Sequence, residues 1–369
     1  MEDKVLVTTL EEAKRFMLDC FQTVGVSGKH ANIVAENLLT ADYRGHFSHG
    51  MNRLNWYIND IITKSVDPNM VPSIEKQTIA TALVNGNNTL GAVVGEYCMG
   101  LAIEKAKGVG IGMVTAFNSN HYGIAGIYSL QAMKARCIGI SLTNASPVLV
   151  PTRAKEQALG TNPISFGVPG MGDESMLLDM ATTTVAMGKL ELHLRQNKPL
   201  PEGWSMNNAG DSETDPLTAI KSHKLFPLGG TELTGGYKGY GLSLMVEILC
   251  GILSGSSYGP NIPMWYPEGR NKKADLSHIF IAIDPTVFAP GYDVRLNDLM
   301  SHIRNIEPRN PDKPVLVPGD PEKNHMNYVD LQGGLCYIQN QHETNKILAE
   351  KLSVIGMRSK VLDKIAVKE

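Results

Sequence analysis

Aromatic residues make up only 6% of the chain, and cysteine occurs five times, at 20, 98, 137, 250 and 336. The cysteines are far apart, odd in number and never spaced CxxC. Neither a metal site nor a disulfide framework is therefore expected, and the pattern fits reduced thiols in a cytoplasmic protein. A surplus of one charge is also lacking: the net charge is −3 and no basic block occurs. Phosphate-backbone binding needs clustered Lys and Arg, so the chain is not expected to bind nucleic acid. No apolar run approaches the ~18 residues of a membrane span. The opening stretch, MEDKVLVTTLEEAKRFMLDC, carries acids early and has no apolar h-region, so no secretory signal is expected. The sequon Asn87-Asn88-Thr89 is then expected to be silent. Internal repeats and low-complexity tails are absent from the sequence.

What is present is glycine, 36 residues of it, and a 43% apolar fraction in a chain of 369 residues. That length suits two or three packed subdomains. Thr9 with Glu12 forms a capping box and predicts a helix over about 10–24, stopped near Gly25. Ser27 predicts a second helix over about 29–43, with Val34, Leu38 and Ala41 on one face. A helix pair of this kind could bind DNA, but the segment is not basic and reads as a packing unit. From 81 the texture alternates: a strand at 81–86, a helix at 92–108, a strand at 109–117, a helix at 125–137 and a strand at 138–145. This is an α/β unit. From about 146 the chain becomes rich in Pro and Gly, with short strand-like pieces ISFGVP and MLLDMAT. An apolar helix is expected at 240–255, an exposed loop at 266–278 and a strand at 278–284. Helices follow at 292–305 and 341–356.

Four segments carry the residue types of a reactive site. RGHFSHGMNR, 44–53, gathers two arginines, two histidines and a serine. An arginine fork can grip a carboxylate through two parallel bonds, and a histidine can move a proton near neutral pH. FNSNHYGIAG, 117–126, follows an apolar run and places His121 at a strand's C-terminal end, where α/β units seat ligands. ALGTNPISFGVP, 158–169, offers Thr161 and Asn162, while Asp179 lies in an apolar strand where an unpartnered carboxylate is costly. A ribose hydroxyl, a backbone amide or a site group could each serve as its partner. LTGGYKGYGLSLMVEIL, 233–249, leads glycines into a helix whose free amides, with Lys238, could receive phosphate. It is not GxxxxGK[ST], and the glycines of GVGIGM, 108–113, precede a strand instead of following one. Neither a P-loop nor a Rossmann fingerprint is present.

In order along the chain stand Ser48-His49-Gly50 with Arg53, SNHYG (119–123), LGTNP (159–163), LDMAT (178–182) and GGYKGYGL (235–242). Together these resemble the malate/L-lactate/sulfolactate dehydrogenase family of the non-Rossmann type, with ureidoglycolate dehydrogenase, diketogulonate reductase and piperideine-carboxylate reductase among its relatives. The resemblance runs over nearly the whole chain. It implies an α/β (α+β) fold: a helical N-terminal region, a cofactor domain on a mixed, largely antiparallel sheet, and a smaller α/β domain. The corresponding division is 1–78, then 79–130 joined by 321–369, then 131–320.

The resemblance further implies a homodimer that uses NAD or NADP and passes hydride between nicotinamide and C2 of a small 2-hydroxy or 2-oxo acid, malate or lactate in type. An imino acid, a ureidoglycolate-like substrate or an inactive binding homologue are the alternatives. By matching motif, His121 is the general acid/base, with His49 the alternative proton carrier. Ser48 and Arg53 hold the substrate, Arg53 on its carboxylate, and Thr161 lies beside it. Leu178, Asp179, Met180, Ala181, Thr182, Tyr237, Lys238, Pro318, Gly319 and Asp320 line the cofactor. Two departures concern the substrate: the chain reads PTRAKEQ (151–157) where many relatives have a glycine pair, and Ala145 and Ser146 stand where some place a lysine.

Overall fold

The computed structural model describes residues 5–265 and 272–361. The chain opens with strand β1 (Val5–Thr8) and enters helix α1 (Leu10–Thr23), where the Thr9 hydroxyl accepts the amide of Glu12 as the capping box requires. Ser27 caps helix α2 (Gly28–Tyr43) in the same way. Two 3₁₀ turns, Phe47–His49 and Met51–Arg53, then lead into helix α3 (Leu54–Ile62). These helices bury Phe16, Met17, Phe21, Leu38, Leu54 and Ile58 completely. Each such side chain contributes about 1.5–3 kcal/mol relative to exposure.

Next come β2 (Ser73–Gln77), β3 (Thr81–Asn85), α4 (Gly91–Val109), β4 (Ile111–Ser119), α5 (Gly126–Lys134), β5 (Ile138–Thr143), β6 (Ile164–Pro169) and β7 (Ser175–Met180). A satellite follows, made of α6 (Met187–Arg195), the short strands β8 (Ser205–Met206) and β9 (Ser212–Glu213) and α7 (Pro216–Ser222). It has its own small core around Leu190, Leu200, Ala219 and Leu225. Helix α8 (Gly236–Glu247) begins earlier than the expected 240, because Gly235 takes a φ of 99° and breaks the chain just before it. It widens into a π turn at Ile248–Ile252. Strand β10 (Leu276–Ile283) starts inside the stretch expected to be an exposed loop. It is the strand expected at 278–284, begun two residues earlier, and residues 266–271 of the expected loop lie outside the described residues.

Seven strands form one sheet in the order β2-β3-β4-β10-β5-β6-β7. Only β3 and β4 run parallel, joined by α4 as a crossover; the other neighbours are antiparallel. The sheet is thus mixed and largely antiparallel. Gly139 and Gly167 face each other across β5 and β6, and a Cβ on them would run into Ala132 and Met133 of α5 respectively, so their bareness lets the helix settle on the sheet. The sheet also runs through the boundary expected at residue 130, since β3 and β4 share it with β5, β6 and β7.

After α9 (Tyr292–Arg304), the helix α10 (Asp320–Gln332), the strand β11 (Leu335–Ile338), the helix α11 (Gln339–Leu352) and the short β12 (Lys360–Val361) complete the described chain. Residues 321–361 return to the N-terminal helices, in a core that also takes in Leu90, Ala92 and Val93 of the 79–130 segment. Strand β11 pairs with β1, Leu6 opposite Tyr337, and Leu335, Tyr337 and Leu348 enter the core of α1, α2 and α3. The reason is the unread strand β1: its edges need hydrogen-bond partners, and β11 and β12 supply them. No helix among the described residues is long and apolar enough to cross a membrane.

Candidate active site

His121 is presented by the loop that leaves the C-terminal end of β4. The Asn120 side chain donates to the carbonyls of Asn88 and Thr89, tying this loop to the one after β3. Gly91 lets the two loops touch: a Cβ there would stand 2.1 Å from the Asn120 carbonyl oxygen. The Tyr57 hydroxyl lies 2.6 Å from His121 Nδ1, and the Gly123 amide donates to the same nitrogen at 3.3 Å. With Nδ1 accepting, the neutral ring carries its proton on Nε2.

The turn after α2 brings the second histidine. The His49 and His121 rings stack with centroids 5.6 Å apart and planes 21° apart. Ser48 Oγ lies 2.7 Å from His49 Nδ1. Burial, with the Arg53 guanidinium and His46 nearby, pushes the His49 imidazole down to about 3. The Trp265 indole also stacks on His121, at 4.3 Å, and its N–H donates to Asp60 at 2.9 Å. Arg53 is 8% exposed, so its charge is held against protein; its guanidinium lies 4.4 Å over Trp56 and 3.4 Å from a Glu191 oxygen.

These groups surround a cavity of about 130 Å³, lined among others by His49, Arg53, His121, Thr161, Glu191 and Trp265. Three of the sequence motifs therefore meet at one small space. Ser48 does not line it. It faces an adjacent groove of about 400 Å³ and reaches the site through its bond to His49. Thr161 is fixed from behind, because its carbonyl accepts both the amide and the hydroxyl of Thr182.

The residues expected at the cofactor lie apart from this cavity, along the edge strand β7. Leu178, Asp179 and Met180 end that strand, and Ala181 and Thr182 follow. The Pro318 carbonyl accepts the Leu177 amide, which sets Pro318, Gly319 and Asp320 beside it. The Asp320 carboxylate is gripped by both arms of Arg304. Tyr237 and Lys238 are exposed on the first turn of α8, tied to the strand's end through Leu228, whose amide donates to the Thr182 carbonyl. Asp179 finds its partner in the Gly126 amide at the start of α5, at 2.8 Å. Around it the Nε of Arg44 and the Oε2 of Glu322 are buried with no hydrogen-bond partner. A dinucleotide brings ribose hydroxyls and a carboxamide, which both donate and accept, so this donor and acceptor set fits one.

Sequence reasoning missed Tyr57, Trp56, Glu191 and Trp265. Tyr57 stands four residues after Arg53 on the same helical side, a signal that was available. Trp265 and Glu191 arrive from distant segments whose local sequence carries no such mark.

A profile of the malate/L-lactate dehydrogenase family matches residues 8–342. The chain belongs to this family. It is 45% identical over 276 residues to a malate dehydrogenase of Pyrococcus horikoshii, covering 74% of this chain and 75% of that one. It is 37% identical over 357 residues to a malate/(S)-sulfolactate dehydrogenase of Methanothermus fervidus, covering 95% and 97%. Its fold superposes on the crystal structure of malate dehydrogenase from Entamoeba histolytica with a TM-score of 0.90 at 32% identity, over 95% of this chain and 99% of that one.

Proposed function

We propose that this family member is a dehydrogenase acting on the CH–OH group of a small 2-hydroxy acid, malate or lactate in type, with NAD or NADP as cofactor. Relatives named for each cofactor support that pairing: ureidoglycolate dehydrogenase (NAD(+)) and (2R)-3-sulfolactate dehydrogenase (NADP(+)). The observation that carries the reading is the meeting of Arg53, His49, His121 and Thr161 around one cavity of about 130 Å³.

When bound, the reduced cofactor supplies hydride to the substrate's C2, and Asp179, Thr182, Lys238 and the 318–320 turn would hold it. Arg53 takes the substrate carboxylate, displacing Glu191 from its guanidinium, and its planar fork fixes the acid's orientation. His121, its Nδ1 occupied by Tyr57 and Gly123, gives the Nε2 proton to the oxygen on C2 in reduction and recovers it in oxidation. His49, held neutral by its surroundings, orients Ser48 and flanks the reacting oxygen. The small cavity and its aromatic wall of Trp56 and Trp265 exclude water from the transfer.

The outward side of α8 and its π turn leaves Leu244, Met245, Ile248, Ile252 and Leu253 exposed in one stripe, and a second copy of the chain is the proposed cover. All five cysteines are free thiols, which supports a cytoplasmic location. The deciding experiment follows absorbance at 340 nm with NADH and with NADPH against oxaloacetate, pyruvate, sulfopyruvate and a cyclic imino acid. Oxidation with an oxo acid supports the reading; turnover of the imino acid alone, or of nothing, refutes it.

A further inference from the structure

A buried carboxylate that takes no part in this chemistry sits directly beneath the turn bearing Ser48, His49 and Arg53. Asp42, in the last turn of α2, is 1% exposed. One of its oxygens, Oδ2, accepts the Met51 amide at 2.8 Å and the Tyr337 hydroxyl at 2.6 Å. The other lies against Gly50, where a Cβ would stand 1.8 Å from Oδ1. The turn is thus folded onto the carboxyl group, and a side chain at 50 is barred.

Both partners of Oδ2 are neutral, and burial drives the carboxyl up to about 7. A carboxylate held this way is a costly tether compared with an apolar filler. What the tether secures is the Met51 amide, which opens the second 3₁₀ turn and has no carbonyl partner there. The His49 amide bonds back to His46 and the Arg53 amide to Gly50, each at 2.9 Å. A shift at Gly50–Met51 therefore moves the guanidinium and disturbs the imidazole together. Tyr337 supplies the fixed point: it is buried in β11, whose backbone is paired with β1.

We infer that Asp42 is a positioning residue, anchored by Tyr337 of the C-terminal strand, that sets where the 47–53 turn places His49 and Arg53 against the substrate. It touches neither substrate nor cofactor: it borders the 400 Å³ groove and not the cavity. The inference rests on the proposed roles of that turn.

The test compares Asp42→Ala, Asp42→Asn, Tyr337→Phe and, as a reference, Arg53→Lys. For each, kcat and KM for the accepted 2-oxo acid are measured per folded molecule, with the thermal melt and NAD(P)H binding by fluorescence recorded alongside. Asn keeps one oxygen able to accept both bonds. A misplacement of about 1 Å costs up to ~10²-fold, so Asp42→Ala is expected to lose about that much in kcat/KM. On the same scale Asp42→Asn should stay within ~5-fold of wild type and Tyr337→Phe should lose ~10-fold, with cofactor binding unchanged in both. If Asp42→Ala fails to fold, Tyr337→Phe decides. Equal loss in Asp42→Asn and Asp42→Ala overturns the inference, because the charge and not the position would then matter. So does wild-type kcat/KM per folded molecule in Tyr337→Phe and Asp42→Ala. If Arg53→Lys is impaired while those variants are not, the inference alone falls; if Arg53→Lys is also wild type, the proposed site falls with it.

Discussion

The Tyr57 hydroxyl sits 2.6 Å from Nδ1 of His121, and Tyr57 follows Arg53 by one helical turn. The 3₁₀ turn and the helix that continues it therefore carry both the guanidinium proposed to hold the substrate's acid and the hydroxyl that sets the tautomer of His121.

In the proposed mechanism the transferred proton sits on His121. Replacing His121 with alanine should lower kcat by roughly 10²–10⁴ while the cofactor still binds. His49→Gln, which removes a ring already held neutral, should cost far less. Steady-state kinetics of both variants decide the assignment, and equal losses would contradict it.

Arg53→Lys keeps the charge and loses the fork. Hydrogen bonds to charged groups are each worth ~1.5–3 kcal/mol, so KM for the oxo acid should rise by about tenfold or more. Glu191→Gln should act in the opposite sense, because the substrate carboxylate no longer competes with an anion for the guanidinium. The contact is a single long one at 3.4 Å, so a fall in KM of only ~2–5-fold is expected. An unchanged KM in both variants would remove Arg53 from the substrate.

Acid should destabilise the fold through two imidazoles. Burial pushes His49 and His278 from 6.5 down to about 3. The unfolded chain binds protons on both below 6.5, and the folded one does not until about 3. Their contribution is thus complete above 6.5 and is lost as pH falls toward 3, by on the order of several kcal/mol in all. Asp42 works the other way: raised from 3.8 to about 7, it weakens the fold as pH climbs through that interval. The contrast between wild type and His278→Gln isolates one histidine. Denaturant melts between about pH 4 and pH 7 should show a shallower slope for the variant. Parallel slopes would rule the effect out.

Ile248→Asp places a charge at the centre of the exposed stripe on α8. Light scattering at matched concentration should show half the mass of wild type, since an unpaired carboxylate in an apolar interface is strongly disfavoured. A mass unaltered by the substitution would refute this stripe as a contact between copies of the chain.

Much of the fold was legible because its signals are local. Thr9 with Glu12 and Ser27 marked two helix starts to within a residue or two, and the alternation from 81 to 145 marked β3, α4, β4, α5 and β5. Strand β10 was read to within two residues, but β1 and β11 are only four residues each and were not read, so the pairing that returns the C-terminal elements to the N-terminal helices was missed. In the site, His49, Arg53, His121 and Thr161 were visible as motif residues, whereas Trp265 and Glu191 were not.

The sequence by itself determined which residue types were available for acid gripping and proton transfer, because caps, periodicity and clustered polar side chains are written within a few consecutive residues. Only the tertiary structure decided that Trp265 lies on His121, that Glu191 occupies Arg53, and that Tyr337 reaches back to Asp42. Those relationships join segments far apart in the chain, and they come from how helices and sheet pack, which no short window of sequence encodes.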